Sequence, residues 1–385
     1  MSEQTPKRLF DKVLIACAGP AGLSAGLSLM RAGVAGSVEI VERSSDDSVL
    51  GSELMLQSAA LRALDTVGLA ERCVEVGAPV NVMRYLDKAG NLLVQKSQEG
   101  KVTRPGLPTN VGITRPALHR VLHAGAIAAG CSVRYETEVE AIDQDGADAP
   151  VRVRLGNGDV RDYDFVIGAD GVNSAVRRLI FPDAPMPQYV GQACWRAAVP
   201  RLNPYDFEFY HGETSKVGII AVSGEEAYLV HLEPVPDFTY LKREDRPAIL
   251  RSKLTGFGGE VPRLIKYIVD PDKVHYTPLS PLFVPPPWHK GRVLLIGDAV
   301  HATTPHLAFG AGLAMEDGIL LGEEIARAEG LGQAMAAFTH RRSARCRKIV
   351  ENGIQISRRE QAPGTPGADP VILTVEGMEE VNASI

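Results

Sequence analysis

The chain has 385 residues, of which 45% are hydrophobic, 23% charged and 6% aromatic. This composition is typical of a globular protein and excludes a chain that is disordered or fibrous throughout. Forty-seven acidic against 41 basic residues give a net charge of -6, which argues against a general nucleic-acid or anionic-membrane surface. The length exceeds the usual size of one domain and predicts two domains or one large α/β unit.

The five cysteines are widely separated along the chain and form no Cys-x-x-Cys pair. Their number and spacing favour reduced thiols over a disulfide framework and argue against a structural zinc site. The polar N-terminus shows no apolar signal segment, and no window reaches the roughly 20 apolar residues of a membrane span. We therefore predict a cytoplasmic protein with no membrane span and expect no metal site.

Residues 11–43 predict a βαβ unit. The apolar run 13–16 indicates a buried strand, which is followed by a glycine-containing turn and a helix that ends near Gly33. Residues 38–42 then predict a second strand. A unit of this length is typical of a parallel sheet with crossover helices.

The turn of this unit carries part of a Gly-x-Gly-x-x-Gly pattern. Gly19 and Gly22 fill its second and third positions, and Cys17 departs from it at the first. Such a turn lets the backbone approach a pyrophosphate, and the next helix offers unpaired N–H groups. Glu42 lies 20 residues after Gly22, where a carboxylate can accept hydrogen bonds from a ribose. We predict a dinucleotide site; a glycine turn that serves only packing is the alternative.

The remaining chain predicts a second, mainly β region inserted into the first. Hydrophobic periodicity and helix start signals predict helices over residues 56–69, 114–129, 310–327 and 334–358. Alternation and turn residues predict strands over 133–142, 192–199, 217–222, 227–232 and 293–298, with hairpins over 80–95 and 151–167. The tail from Gln361 has the composition of turns.

Two later motifs define the dinucleotide more closely. Residues 164–174 read Asp-Phe-Val-Ile-Gly-Ala-Asp-Gly-Val-Asn-Ser, and residues 297–301 read Gly-Asp-Ala-Val-His. Together with the segment 17–23 and Glu42, these motifs resemble the signatures of single-component FAD-dependent monooxygenases of the para-hydroxybenzoate hydroxylase fold. The resemblance covers roughly residues 10–350 and is greatest to the compact branch with salicylate and hydroxypyridine-carboxylate hydroxylases.

The resemblance implies an α/β fold: an FAD-binding Rossmann-like domain, an inserted antiparallel β-sheet substrate domain and a C-terminal helix. The FAD-binding domain would be discontinuous, and the domain limits would be 1–79, 105–187 and 274–330 for FAD binding, 80–104 and 188–273 for substrate, and 331–385 for the C-terminal helix and tail.

The resemblance also implies cofactor contacts. Glu42 would hold the adenosine ribose, Arg115 would reach the ribityl or pyrophosphate region, and Asp298 would bind the ribityl hydroxyls. Asp170 would line the cleft near the visiting nicotinamide nucleotide. A capping role remains the alternative for both aspartates, and a surface position for Arg115. The predicted cofactor-binding set is Gly19, Ala21, Gly22, Glu42, Arg43, Arg115, Val139, Asp170, Asp298, Gly310, Ala311 and Gly312.

Pro305 resembles the proline whose backbone faces the flavin, and the helix that opens at residues 310–312 would place its N–H groups against the pyrimidine ring, where reduced flavin is negative. Phe309 stands where many relatives carry Gln, which predicts a more apolar wall beside the flavin.

The substrate side is predicted from the chemistry of the family. The flavin hydroperoxide is electrophilic, so a base that deprotonates a ring hydroxyl of the substrate would favour attack. His211 is the first candidate base, His231 the second and His306 the third; for each, a packed or surface histidine is the alternative. Arg196 is a candidate partner for a substrate carboxylate, with bridging inside the sheet as its alternative.

The function implied is an FAD-dependent monooxygenase that uses NADH or NADPH and O2 to hydroxylate an electron-rich phenolic or hydroxypyridine-like small molecule through a flavin C4a-hydroperoxide. FAD would be bound, and the nicotinamide nucleotide would be a transient co-substrate because a second Gly-x-Gly-x-x-Gly is missing. The alternatives are a flavin-dependent epoxidase or N-hydroxylase on the same fold, and a non-catalytic protein that binds FAD or an aromatic ligand. No nucleic-acid partner is expected, and a homodimer is left open.

Overall fold

A computed structural model describes residues 8–45, 53–97, 104–146, 149–364 and 369–382. The strands, in chain order, are β1 (Phe10–Ala16), β2 (Ala35–Val41), β3 (Leu54–Leu56), β4 (Ala78–Val80), β5 (Val82–Asp87), β6 (Leu92–Ser97), β7 (Asn110–Ile113), β8 (Ser132–Arg134), β9 (Val139–Asp143), β10 (Val151–Leu155), β11 (Val160–Tyr163), β12 (Phe165–Gly168), β13 (Gln192–Pro200), β14 (Phe207–His211), β15 (Lys216–Ala221), β16 (Glu226–Pro234), β17 (Val274–Pro278), β18 (His289–Lys290) and β19 (Val293–Leu295).

The helices, in chain order, are α1 (Pro20–Arg31), α2 (Ser58–Thr66), α3 (Ala70–Val76), α4 (Arg115–Ala128), α5 (Ala175–Ile180), α6 (Arg246–Leu254), α7 (Val261–Leu264), α8 (Asp298–His301), α9 (Gly310–Arg327), α10 (Leu331–Gln361) and α11 (Pro370–Val381). None of the helices in the described part of the chain is both long and apolar enough to cross a bilayer.

A six-stranded sheet forms the centre of the larger α/β region, with the order β18-β19-β12-β1-β2-β8. Strand β1 pairs in parallel with β2 on one side and β12 on the other, which confirms the predicted βαβ unit. Val13, Leu14 and Ile15 are fully buried, because helices cover both faces of a parallel sheet. The carboxyl ends of the parallel strands therefore meet at one edge, where ligands bind in open α/β sheets.

A seven-stranded sheet, with the order β17-β13-β16-β15-β14-β5-β6, forms the second region. Its pairs are antiparallel except for β14 with β5, which is parallel. The predicted inserted antiparallel sheet is thus confirmed with one parallel pair. That pair arises because β5 enters from an earlier, separate crossing of the chain.

The two faces of this sheet have different surroundings. Alternate side chains on one face pack against α6 and α7 in a separate hydrophobic cluster that contains Trp195, Ala197, Tyr210, Val217, Ile219, Leu229, Leu250, Leu254, Val261 and Leu264. Because successive side chains of a strand point to opposite faces, the intervening residues face the α/β region. These include Arg196, Phe207, Phe209, Ile220, Tyr228, Val230 and Leu232, which line a cavity.

Two predicted elements differ from the structure. The predicted strand 133–142 is divided into β8 and β9, because Glu136 between them has a positive φ of 52°, which ends the extended backbone. The tail predicted as turns contains the helix α11. This helix begins only after the Pro- and Gly-rich residues on which the prediction of turns rested. Residues 365–368 of that tail lie outside the described residues.

Candidate active site

A cavity of about 1090 Å³ lies between the carboxyl edge of the six-stranded sheet and the open face of the seven-stranded sheet. It brings together ten of the predicted cofactor residues: Gly19, Ala21, Glu42, Arg43, Arg115, Val139, Asp170, Asp298, Gly310 and Ala311. Pro305 and His306 line it as well, whereas Gly22, Gly312, His211 and His231 are not among its lining residues.

The turn between β1 and α1 is held by its backbone. Cys17 has a φ of 90°, a left-handed conformation that glycine adopts readily and other residues adopt at a cost. Gly22 approaches this turn so closely that a Cβ there would lie 2.0 Å from the Cys17 carbonyl oxygen. Cys17 therefore preserves the shape of the glycine turn despite its departure from the pattern, and Gly22 packs the helix against the strand.

Glu42 is fixed at the end of β2 by backbone donors. Its Oε2 accepts from the Ala18 N–H at 3.0 Å and its Oε1 accepts from the Ser44 N–H at 3.0 Å. Burial opposes ionisation, but the Ser44 N–H, the Cys17 thiol and the Ala18 N–H together lower the pKa of Glu42. Burial and the neighbouring carboxylate raise the pKa of Cys17 in turn. The pair thus consists of a carboxylate and a protonated thiol.

Asp170 caps the short helix α5. Its Oδ2 accepts from the N–H groups of Ala175 at 2.6 Å and Val176 at 3.0 Å, and its Oδ1 accepts from the Ser174 hydroxyl at 2.5 Å. These hydrogen bonds are those of a helix-capping carboxylate, the alternative that the sequence left open for Asp170. The residue also lines the cavity. A role toward a nicotinamide nucleotide remains a prediction.

Asp298 begins α8 after a strained glycine. Gly297 has φ 61° and ψ -144°, and its N–H donates to the Asp317 Oδ2 of α9 at 2.8 Å. His301 Nε2 lies 2.5 Å from the same oxygen, and Arg342 Nε donates to Asp317 Oδ1 at 2.7 Å. A single buried carboxylate therefore fixes the turn that presents Asp298 to the cavity.

His301, Asp317 and Cys346 also lie close enough together to form a group of metal-ligand type. The oxygens of Asp317 already accept from Gly297 and Arg342, and the Arg342 guanidinium supplies positive charge where a cation would lie. Burial alone would lower the pKa of His301, but Asp317 raises it well above its usual value. We assign this cluster to support of the turn.

Arg115 and Asp298 interact electrostatically. Both residues are exposed to solvent, and both line the cavity. The surrounding protein nevertheless desolvates them: burial raises the pKa of Asp298, which His301 and Arg115 oppose, and lowers the pKa of Arg115, where Arg196 adds to the effect. They present opposite charges to whatever occupies the cavity.

The start of α9 forms another wall. Gly310 and Ala311 line the cavity, and the first N–H groups of a helix have no partner within it. Phe309, at the N-cap, is 1% exposed, and a Cβ at Gly312 would lie 2.5 Å from its ring. Gly312 thus serves the packing of Phe309, whereas Gly310 and Ala311 leave donors and the positive end of the helix dipole at the cavity.

Polar side chains lie among the apolar residues on the sheet side of the cavity. Glu53, Arg196 and Tyr228 line this part. Burial raises the pKa of Glu53, Glu226 adds to the effect, and Arg196 and Arg115 oppose it. Burial also raises the pKa of Tyr228, while Arg196 lowers it. These three groups interact electrostatically where the walls are otherwise aliphatic and aromatic.

His211, the first candidate base, lies on the cavity side of β14 without reaching the cavity. Its ring centroid is 6.1 Å from that of Tyr85 and 6.2 Å from that of Phe209. Burial and the neighbouring Lys216 lower its pKa to about 4. His211 is thus a neutral, enclosed imidazole, which corresponds to the packed histidine that the sequence left open as the alternative to a base.

His231, the second candidate, lies on the other face of the sheet. It pairs with Trp195 and Val217, both members of the helix-covered cluster, and its ring packs edge-on against Phe257. The side-chain alternation of β16 thus directs His231 away from the cavity, whereas Tyr228 and Val230 face it.

His306, the third candidate, is buried and lines the cavity beside Pro305. Its Nδ1 lies 2.8 Å from Thr304 Oγ1, and its Nε2 lies 3.2 Å from Glu360 Oε2. Burial lowers the pKa of His306, and Glu360 opposes that effect. Of the three candidates, this imidazole alone combines contact with the cavity and a hydrogen-bonded carboxylate.

Several residues in the cavity wall or directly behind it were not predicted from the sequence: Glu53, Lys216, Tyr228, Thr304, Asp317 and Glu360. The position of Thr304 directly before Pro305 was a usable signal, and so was the phase of Tyr228 with Arg196 across adjacent strands. Glu360 and Lys216 give no local signal, because the fold alone brings them together from α10 and β15.

The polar groups of the cavity walls fit the chemistry of FAD. One continuous cavity is surrounded by a carboxylate fixed for a ribose, a glycine turn, a helix N-terminus and the aspartate Asp298. Each of them matches a polar part of a dinucleotide: ribose hydroxyls, pyrophosphate and an electron-rich ring.

Comparisons with known proteins point to the same cofactor. The model of a family described as an FAD binding domain matches residues 11–355. YetM of Bacillus subtilis, provisionally named an FAD-dependent monooxygenase, is 30% identical over 364 residues, which cover 94% of this chain and 96% of that protein. The 2-heptyl-3-hydroxy-4(1H)-quinolone synthase of Pseudomonas aeruginosa is 33% identical over 322 residues, 80% of this chain and 79% of that protein. Klebsiella pneumoniae HpxO, solved with FAD and uric acid, has a TM-score of 0.81 at 23% identity and covers 97% of this chain and 92% of its own, which shows a common fold.

Proposed function

Because the chain belongs to the FAD binding domain family and is an FAD-dependent monooxygenase of the aromatic hydroxylase fold, we propose that it uses NADH or NADPH and O2 to hydroxylate an electron-rich aromatic small molecule. The observation that carries this proposal is the continuous cavity, in which dinucleotide-type contacts and an apolar sheet face share one space. The substrate class proposed is a phenol or a hydroxylated nitrogen heterocycle.

The residues proposed to hold FAD are those that line the cavity along the six-stranded sheet. Glu42 would accept from the ribose, the α1 N-terminus after Gly19 would bind the pyrophosphate, and Asp298 would accept from the ribityl hydroxyls. Ala21, Arg43, Arg115, Val139 and Asp170 would complete the walls. When bound, FAD supplies electron transfer and oxygen activation, which protein side chains do not provide.

The α9 N-terminus would stabilise negative charge on the reduced ring through the N–H groups of Gly310 and Ala311. Pro305 would face the ring from the neighbouring segment, and Phe309 and Gly312 would keep the helix in place. Gly22 would contribute by packing rather than by contact, since its Cβ position is filled by the Cys17 carbonyl.

The substrate would lie against the open face of the seven-stranded sheet. Phe207, Phe209 and Ile220 exclude water there, and Arg196 and Tyr228 offer polar contacts. Such a surface fits a flat ring with one or two polar substituents. The quinolone synthase among the relatives is named for a hydroxylated fused heterocycle, which supports including 4-quinolones with phenols and hydroxypyridines.

The test is NAD(P)H oxidation by the FAD-loaded protein in air, with phenols, hydroxybenzoates, hydroxypyridines and 4-quinolones, and with product mass measured in the same samples. We expect one ligand class to accelerate oxidation and to gain one oxygen atom. Ligand binding with no accelerated oxidation would instead favour the non-catalytic binding protein, and an epoxide or N-oxygenated product would identify those alternatives.

A variant pair ties the activity to the site. Asp298→Asn should weaken FAD retention, because the side chain would no longer accept from the ribityl hydroxyls as an anion. Asp183→Asn, a matched change at an exposed position, should retain FAD as the unmodified protein does. Equal FAD retention by both variants would contradict the placement of the ribityl chain.

We propose domain limits on the basis of strand pairing. The segments around β5, β6 and β13 to β16 would form the substrate domain, and the pairing of β17 with β13 supports moving its later limit from residue 273 to 278. We also propose a cytoplasmic location, which the five free cysteines support. Size-exclusion chromatography with light scattering would decide between a monomer and a homodimer.

A further inference from the structure

A buried polar chain connects the cavity to the C-terminal helix α10. Thr304 Oγ1 lies 2.8 Å from His306 Nδ1, His306 Nε2 lies 3.2 Å from Glu360 Oε2, and Glu360 Oε1 lies 2.5 Å from Lys216 Nζ. All four residues are at least nine-tenths buried. Thr304 and His306 line the cavity on either side of Pro305, so one end of the chain is accessible to a ligand.

The neighbours of His306 determine where its proton lies. Nε2 faces the Glu360 carboxylate and, at 3.1 Å, Gln192 Oε1. Gln192 donates through its Nε2 to the same carboxylate oxygen at 3.2 Å, and its Oε1 accepts from the Ser357 hydroxyl at 2.7 Å. Because both groups facing Nε2 are acceptors, the imidazole proton belongs on Nε2. Nδ1 is then left to accept from the Thr304 hydroxyl.

The charges around the chain favour a neutral imidazole at rest. Lys216 and Glu360 form a buried ion pair, and burial would raise the pKa of Glu360, but Lys216 and His306 lower it. Burial lowers the pKa of His306, with Glu360 opposing and Lys216 adding to the effect. Two other titratable groups lie near Lys216: His211 is neutral at its lowered pKa, and burial raises the pKa of the Cys194 thiol, which keeps it protonated. The anion beside Nε2 can therefore stabilise an imidazolium that forms during turnover.

The packing of α10 fixes this geometry. Gly353 approaches Thr304 so closely that a Cβ there would lie 2.4 Å from Thr304 Oγ1. The helix can thus place Glu360 against His306 while Thr304 keeps its position at the cavity wall. An arrangement of hydroxyl, imidazole and carboxylate is a known means of holding an imidazole ready to accept a proton.

We propose that Thr304, His306 and Glu360 form a proton relay that removes the hydroxyl proton of the aromatic substrate, with Lys216 as the fixed counter-charge. The substrate O–H bond breaks as a bond forms to Thr304 Oγ1, and the original Thr304 proton moves to His306 Nδ1. The products are a phenolate in the cavity and an imidazolium paired with Glu360. Thr304 is the group that touches substrate; His306 and Glu360 act through it. This inference rests on the proposed function for its substrate.

The first test does not depend on turnover. In ¹⁵N NMR spectra of the full-length, FAD-loaded protein, His306 should carry its proton on Nε2, and Glu360→Gln should lower the His306 pKa by removing the anion that favours the imidazolium. Glu351→Gln, a matched change at an exposed position of the same helix, should leave the His306 signal unchanged. A proton on Nδ1 in the unmodified protein, or a titration that ignores Glu360→Gln, would overturn the relay.

Glu360→Gln leaves Lys216 buried without its partner, and the variant could fail to fold for that reason. The double variant Lys216→Met with Glu360→Gln removes both charges and keeps the volume similar. In that variant the relay again predicts a lowered His306 pKa, by less than in Glu360→Gln, because loss of Lys216 acts in the opposite direction and is the smaller effect. An unchanged pKa in a folded double variant would count against it.

The second test uses Thr304→Val, which keeps the shape and removes the hydroxyl. With the phenol that the unmodified protein hydroxylates best, product formation below the pKa of the free phenol should fall about 100-fold, because general-base assistance is worth 10²–10⁴-fold. Above that pKa the loss should shrink, since the phenol is already ionised. A loss that is the same at every pH would indicate a merely structural role and overturn the relay.

The two proposals fail separately. Absence of product with every phenol and heterocycle in the unmodified protein would contradict the proposed function, while the NMR experiment would still test the arrangement of the relay. Product formation with no pH-dependent effect of Thr304→Val would contradict the relay alone.

Discussion

The polar side chains in two regions of the site are held by different kinds of partner. Along the six-stranded sheet, backbone N–H groups hold the acidic side chains: two of them bind Glu42 and two bind Asp170. Behind the cavity wall at His306, the polar side chains hold one another, as in the pair of Lys216 with Glu360. A backbone donor persists when its side chain changes, whereas a side-chain partner does not. We therefore expect the first region to tolerate substitution at many positions and the second to depend on individual residues.

The largest expected effect is at Asp317, a buried side chain that holds the turn at the six-stranded-sheet end of the cavity. Asp317→Asn would weaken the bonds to His301 and Arg342 and leave the guanidinium partly uncompensated, at a cost of about 3 kcal/mol in the free energy of unfolding. Urea denaturation measures it. Glu323→Gln, on the same helix but in a partly exposed ion pair with Arg341, should cost less than about 1 kcal/mol. Similar losses in both variants would contradict the special role of Asp317.

Gly22→Ala tests how rigid the backbone turn is. The added Cβ would lie 2.0 Å from a carbonyl oxygen, so the turn must move, at a cost of about 2 kcal/mol and with weaker FAD binding. Thermal unfolding and FAD titration measure both effects. Gly332→Ala, where an added Cβ meets nothing within 4 Å, is the matched control. An FAD affinity that survives Gly22→Ala would show that the turn adapts.

Glu42→Gln should weaken FAD binding about 10-fold through loss of a charged acceptor, measured by fluorescence titration. The pKa of Glu42 is lowered in the folded protein, so its contribution to stability is present above its ordinary pKa and is lost as the pH falls through the lowered value. The unmodified protein should consequently lose more stability than Glu42→Gln between about pH 7 and about pH 3. Glu75→Gln, at an exposed position, should follow the unmodified protein. A variant with an unchanged pH dependence would refute the sign of this contribution.

The smallest expected effect concerns the left-handed backbone of Cys17 in the turn between β1 and α1. Cys17→Gly removes the strain of a left-handed non-glycine residue and should stabilise the protein by about 1 kcal/mol, seen as a higher Tm. Cys17→Ala retains the strain and lacks the thiol, so it separates the two causes. If alanine stabilises as much as glycine, the thiol and not the backbone is responsible.

The sequence predicts which residues meet at the six-stranded-sheet end of the cavity because the signals there are local. Gly19, Gly22 and Glu42 belong to one βαβ unit, and Asp298 lies in a motif that directly follows a buried strand. Strand periodicity likewise predicts most of the inserted sheet. These features depend on residues fewer than about thirty positions apart, and backbone geometry links them directly.

The surroundings of His306 and of the seven-stranded sheet could be predicted only in part, because their geometry depends on long-range packing. Nothing near Glu360 indicates that α10 will bring it to His306, 54 positions earlier. The choice among three histidines depended on side-chain phase: one extra residue along β16 would turn His231 toward the cavity and Tyr228 away from it. Helix α11 escaped prediction because the Pro- and Gly-rich residues before it outweighed its own periodicity.

The two-faced sheet has a consequence for how such a protein can diverge. Its helix-covered face carries its own hydrophobic cluster, built around Trp195 and Leu229, and this cluster anchors the strands independently of the cavity. Conservative apolar mutations at Phe207, Ile220 or Val230 can therefore reshape the pocket while this cluster still anchors the strands. Descendants of one ancestor could thus acquire new ring-shaped substrates one wall residue at a time, while the inherited flavin chemistry stays the same.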